Sequence, residues 1–214
     1  MGYDSEQFIE RGEEIVTFDY REVEPADRYK LMAQSVVPRP IAWIVTENEG
    51  GGVNVAPFSY FTPLSSNPPV LIVSVGHRPD GTPKDTLANL RRSGRCTLCL
   101  AAPEQAEPMH FSSKPLPAGE SEAERFGIAL TEGREGFPPR IDGAPTAFYC
   151  RLHSEVPLEG SKTIPLILEI EGQYLDESCI VDAERLYLDC DLLARVGPEY
   201  RKLGERIPAP EIPE

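Results

Sequence analysis

The stretch VLIVSV at residues 70–75 lies between a proline corner, SSNPP (65–69), and a Gly/Pro-rich loop, HRPDGTPKD (77–85). Its residues are mostly branched at Cβ, which restricts χ1 and favours an extended backbone. The run is too short for a buried helix and carries no polar alternation, so it predicts a strand covered on both faces. A chain with such a strand must build a sheet around it. IAWIVT (41–46) reads as a second buried strand, ENEGGGVN (47–54) as a glycine turn, and VAPFSYF as the returning arm of a hairpin. CTLCLAA (96–102), TAFYCRLHSEVPL (146–158) and TIPLILEIEGQYL (163–175) add further strands, the last two long and paired with each other. The total is six or seven strands in a chain carrying 22 prolines and 17 glycines. That frequency of corners suits a mostly β fold, a small closed or split barrel, better than a helical bundle.

The helices are few and short. ADRYKLMAQ, opened by Pro25 or Asp27, predicts one. DTLANLRRSG (85–94) is the clearest, with Asp85 or Thr86 as N-cap, Leu87 and Leu90 facing inward and Gly94 as the stop. Residues 104–140 read as irregular, with amphipathic pieces around EQAEPMHF and SEAERFG, an insertion of the kind that often covers a site. LYLDCDLLARVGPEYRKLGE reads as strand-to-loop or short helix. The chain divides into a polar arm (1–24), one domain (25–204) and a Pro-rich tail (205–214).

The formal net charge of −14 repels nucleic acid and anionic membranes, so neither is an expected partner. An anionic ligand must instead find a local cluster of cations or backbone N–H groups. The acidic start MGYDSEQFIERGEE is unlike a secretion signal, and Glu6 breaks the myristoylation pattern behind Gly2. No apolar run approaches the ~20 residues that cross a bilayer. A cytoplasmic location is the expectation. Five cysteines, an odd number, argue for free thiols. Cys96 and Cys99 form a CxxC, but strand alternation puts them on opposite faces, where they cannot easily share a metal or a disulfide. No metal site is predicted.

Common catalytic signatures are missing. There is no GxSxG, HExxH, GxGxxG or Walker A sequence, and His77, His110 and His153 stand in unrelated contexts. One feature remains: the entrance TPKDTLANL to the helix at 85–94. Free N–H groups, a partial positive charge and Lys84 together suit an anion, and Arg39 would add to them if the fold brings it near. An ordinary capped helix with a solvated lysine explains the same residues equally well locally.

PRPIAWIVT, then NVAPFSYFTPLSSNPPVLIVSV, then KDTLANL, in this order and spacing, resembles the flavin reductase-like family of FMN-binding split barrels. GSKTIPLILEIEG and RVGPEYRKLG are similar to its closing strand and terminal segment, so the likeness covers residues 28–204. It implies a six-stranded Greek-key split β-barrel with short peripheral helices, a homodimer, and FMN near the subunit interface. Arg39, fixed between Pro38 and Pro40, would stand near the flavin's polar end. Pro57 would break strand pairing where Ala56 to Phe61 approach the ring, with Ser59, Tyr60 and Phe61 bordering it. Thr46 and Asn54 would make polar contacts across the hairpin, and Lys84, Asp85 and Thr86 would cradle the phosphate. The implied activity is hydride transfer from NAD(P)H to flavin, without a designated side-chain acid or base. Alternatives are an FMN-binding electron carrier without NAD(P)H activity and a flavin-free interaction barrel. Two departures stand out: the proline-rich loop 77–83, and Gly160-Ser161-Lys162 where many members have Gly-Asp-His.

Overall fold

The structure is a computed structural model and describes residues 17–117 and 119–212. In chain order, the first half comprises α1 (Pro25–Ser35), β1 (Arg39–Pro40), β2 (Ala42–Glu47), β3 (Val53–Phe58), β4 (Phe61–Ser66) and β5 (Pro69–Gly76). Next come α2 (Asp85–Ser93), β6 (Arg95–Leu100), α3 (Ala106–Phe111), α4 (Glu122–Phe126), β7 (Leu130–Thr131) and β8 (Arg140–Ile141). The long strands β9 (Thr146–Glu155) and β10 (Thr163–Leu175) precede β11 (Ile180–Asp182), β12 (Tyr187–Leu188), β13 (Leu193–Val196) and β14 (Glu199–Lys202). Most of the arm, residues 1–16, lies outside the described residues, but its end is anchored by the buried Val23. The tail is exposed as far as residue 212.

The main sheet is antiparallel, with strand order β3-β2-β6-β9-β10-β5-β4. It curls until β3 contacts β5 across the opening without a closing ladder, the split-barrel form. The sheet has seven strands, so the expected six-stranded count is corrected. The reason is local: VAPFSYF is not one strand. β3 ends at Phe58, and after Ser59–Tyr60, where Ser74 N–H donates to Tyr60 O (2.9 Å), Phe61 opens β4 against Val73 of β5 at the other end of the sheet. Pro57 does not interrupt pairing either. It stands opposite Trp43 on the terminal strand β3, where a missing N–H costs the ladder least. The terminal segment, expected as strand-to-loop or short helix, forms the hairpin β13–β14, which joins β1 in a separate three-stranded sheet.

Alternation decides the core. On β6, Cys96 and Leu98 enter one apolar cluster with Ile44, Val73, Leu87 and Leu168, while Cys99 enters another with Trp43, Val55 and Met109. The CxxC thiols are free and lie on opposite faces, as the alternation required. Burial pushes Cys99 up to about 12, so it stays a thiol at neutral pH. β9 and β10 pair over most of their length, as their sequences suggested.

The insertion after β6 is fastened to the barrel by two buried bonds. Trp43 Nε1–H donates to Ser112 Oγ (3.0 Å), and Glu122 Oε2 accepts Val55 N–H (2.9 Å). The second bond satisfies a backbone donor on β3, a strand with only one ladder partner in the sheet. Burial raises the Glu122 pKa above the usual carboxylate range, and the Val55 bond opposes this only in part. A carboxyl with a raised folded pKa contributes stability below its unfolded pKa and loses it as pH rises through the folded value. Glu122→Gln keeps an oxygen acceptor and removes the buried charge. It is expected to raise the urea midpoint more at pH 8 than at pH 5; a larger gain at pH 5 contradicts this reading.

Candidate functional site

A cleft of about 390 Å³ opens where the start of α2, the β3–β4 turn and the terminal hairpin converge. Pro57, Phe58, Ser59 and Tyr60 form one wall, with Ser74 and Gly76 from β5 and Thr163 from β10 beside them. Tyr29 from α1, Ser113 after α3, Arg195 of β13 and Tyr200 of β14 complete it. Among the described residues its lining holds two cations, Lys84 and Arg195, and no carboxylate. In a chain with 35 acidic and 21 basic residues, that is a local reversal of sign.

The Lys84 end follows from how α2 begins. The N-cap is Lys84 itself, extended at φ −63°, ψ 154°, and no side chain caps the helix. The expected Asp85 or Thr86 cap is therefore not made. Asp85 turns to Arg78 (2.7 Å), whose guanidinium also donates to Pro83 O. Thr86 is buried and accepts Asn54 Nδ2–H (2.9 Å). The uncapped N–H groups of α2 thus lie next to an exposed lysine that has no carboxylate partner among the described residues. Gly94, at φ 72°, ends the helix as expected.

The ten residues singled out in the sequence separate into groups. Ser59, Tyr60 and Lys84 line the cleft. Thr46, Asn54 and Thr86 do not: Asn54 Nδ2 reaches Thr86 Oγ1 and, at 3.4 Å, Thr46 Oγ1. Asn89 continues this buried chain, donating to Thr46 Oγ1 (3.1 Å) and Asn48 Oδ1 (2.9 Å). Ala56 is half-buried, and Phe61 belongs to the core. Arg39 is 5% exposed and is not among the residues that line the cleft. It donates to Ala33 O and Val36 O at the end of α1, where backbone dipoles favour a cation, and lies 5.7 Å from the Tyr60 ring centroid.

Tyr60 is bracketed by aromatic and cationic neighbours. Tyr29 stacks on it at 5.7 Å between centroids, and Lys84 Nζ is 6.0 Å from the adjacent Phe58 ring. The Tyr60 hydroxyl is buried without a partner among the described residues, and burial raises its pKa, so it remains a neutral donor.

Sequence reasoning missed Tyr29, Ser74, Gly76, Ser113, Thr163, Arg195 and Tyr200 as cleft residues. A signal existed for the last two. Gly197-Pro198 is a turn dipeptide, and folding back around it pairs Arg195 directly with Tyr200.

Residues 32–194 match the family described as the flavin reductase like domain. The chain belongs to that family. Its relatives include an uncharacterized Deinococcus radiodurans protein, 37% identical over 84% of this chain and 82% of its own. Among solved structures, nitrilotriacetate monooxygenase component B from Bacillus cereus superimposes with a TM-score of 0.83 at 26% identity, covering 92% of this chain and all of the other. The Pseudomonas fluorescens 2-nitrobenzoate 2-nitroreductase NbaA gives a TM-score of 0.82 at 28% identity, over 92% and 96% of the two chains. Family membership joins the chain to flavin-related reductases. No helix among the described residues is long and apolar enough to cross a membrane.

Proposed function

We propose that the chain binds FMN in this cleft and is an oxidoreductase that passes a hydride from NAD(P)H to the flavin. The observation that carries the reading is the pairing of aromatic wall and cationic end. Phe58, Tyr60 and Tyr29 offer flat faces for a ring system, and Lys84 at the uncapped start of α2 offers charge and N–H donors for a phosphate. The unpartnered Tyr60 hydroxyl is a buried donor that a ring carbonyl or nitrogen would satisfy. These features fit FMN. When bound, FMN supplies the hydride acceptor, and the protein need supply only placement and electrostatics. Lys84 anchors, the aromatic residues orient and exclude water, and the absence of carboxylates keeps the lining compatible with an anionic ligand. No side-chain acid or base is assigned.

A second reading, an FMN-bound electron carrier without NAD(P)H activity, is favoured by the lack of histidine among the cleft-lining residues. The two solved relatives suggest destinations for the electrons: a partner oxygenase in one case, a nitroaromatic acceptor in the other. The proposal includes a cytoplasmic homodimer. The outer strand β4 presents Leu64, and the segment after α1 presents Val36 and Val37, apolar surface that a second copy would cover.

The test is a titration with FMN followed by visible spectrum and flavin fluorescence, then NADH and NADPH oxidation with FMN supplied. Saturable binding with flavin-dependent oxidation supports the reductase. Binding without oxidation selects the carrier, and no binding at a hundred-micromolar excess (about 5 kcal/mol) rejects both. Solution mass decides the dimer.

A further inference from the structure

Resting on the FMN reading, Arg195 needs a separate explanation. FMN carries one phosphate, and Lys84 with the start of α2 accounts for it. The cleft nevertheless contains a second cation on a different element. Arg195 is half-buried and has no carboxylate partner among the described residues. Its Nε donates to Gly197 O (2.9 Å) and its Nη1 to Tyr200 Oη (2.8 Å), with the guanidinium 4.8 Å from the Tyr200 ring centroid. His110 Nδ1 lies 2.9 Å from the same Tyr200 oxygen and braces it from the far side. Nη2 makes no hydrogen bond among the described residues. The guanidinium is thus fixed in orientation, with donor capacity left over.

The ladder sharpens the point. Arg39 stands directly opposite Arg195 across β1 and β13, and Arg39 also lacks an acidic partner among the described residues. Like charges at directly paired positions destabilise a sheet. Arg78, Arg91 and Arg151 are paired with Asp85, Glu155 and Glu171, whereas the two arginines that face each other across β1 and β13 have no such pair among the described residues.

We propose that Arg195 is the seat for an oxyanion of the second substrate, the molecule that meets the flavin, and that Tyr200 and His110 position it. The shared chemistry is an oxyanion on a molecule with a flat ring. Its source is either the diphosphate of a nicotinamide dinucleotide or the carboxylate of an aromatic acid. A guanidinium donates two hydrogen bonds to either oxyanion in a two-point contact, which a lysine cannot reproduce. The site therefore discriminates against neutral ring compounds of the same size.

Calorimetric titration of the FMN-loaded protein and the apoprotein with ADP-ribose, benzoate and neutral benzamide tests this. Wild type, Arg195→Gln, Arg195→Lys and Tyr200→Phe are compared, with FMN affinity and thermal midpoint measured for each. One anion is expected to lose tenfold or more in affinity in Arg195→Gln, less in Arg195→Lys, with benzamide unmoved and FMN affinity within twofold. Loss confined to ADP-ribose names the dinucleotide, and loss confined to benzoate names the aromatic acid. A tenfold fall in FMN affinity would mean that Arg195 holds the flavin itself, and overturns the proposal. So do equal losses for charged and neutral probes, or failure of both anions to bind wild type. If wild type takes no FMN, the underlying reading fails first, and this proposal fails with it.

Discussion

Lys84→Ala is expected to weaken FMN binding by about ten- to a hundredfold while leaving the thermal midpoint essentially unchanged. The magnitude is that of one charge-assisted hydrogen bond, roughly 1.5–3 kcal/mol. Stability should hold because Lys84 is exposed and caps α2 only through its backbone, donating no side-chain bond to the helix. Arg78 cannot readily substitute, being committed to Asp85 and Pro83 O. The loss should shrink as salt is raised, because the lysine is solvent-accessible and its interaction is screened. Unchanged binding in the variant places the phosphate elsewhere and removes the basis for the FMN reading of this end of the cleft.

Asn54→Ala should act in the opposite way, through the fold first. Asn54 is 3% exposed and bridges Thr86 on α2 to Thr46 on β2, and Asn89 extends the bridge to Asn48 in the hairpin turn. Truncation leaves the buried Thr86 hydroxyl without its donor and opens a small cavity, a cost of about 2–4 kcal/mol. The start of α2 would then be held mainly by Leu87 and Leu90 in the core. FMN affinity is expected to fall together with the urea midpoint, since the N–H groups of α2 depend on where that first turn sits. A variant that loses stability but keeps full affinity shows that packing alone positions α2. A variant that loses neither shows that the polar chain is dispensable and its side chains are available to a ligand.

The contrast between these two residues explains how far the sequence could be read. Strand periodicity settled the opposite-facing CxxC thiols and the β9–β10 pairing, because the side-chain period of two is a purely local property. Gly94 was legible for the same reason: a left-handed backbone selects glycine. The direction of Thr86 was not. Whether a hydroxyl in the first turn faces a ligand or the barrel depends on which residue is the cap, and here the cap falls one position early, at Lys84. Arg39 serves carbonyls of Ala33 and Val36, close to it in sequence at the end of α1, so its direction depends on where that helix stops, which the residue pattern does not specify. The break between β3 and β4 was hidden because VAPFSYF has no glycine or turn dipeptide where the first strand ends.

The protein contains a single tryptophan, Trp43, fully buried on β2. Its direct partner across the ladder is Pro57, which belongs to the cleft wall. Indole emission overlaps flavin absorption, so a flavin held against that wall would drain the excited state of Trp43 by energy transfer. A polar rearrangement around Ser112 would shift the emission colour, which energy transfer to a flavin does not do. One chromophore, already present and already one strand away, therefore separates occupancy of the cleft from loosening of the insertion behind it.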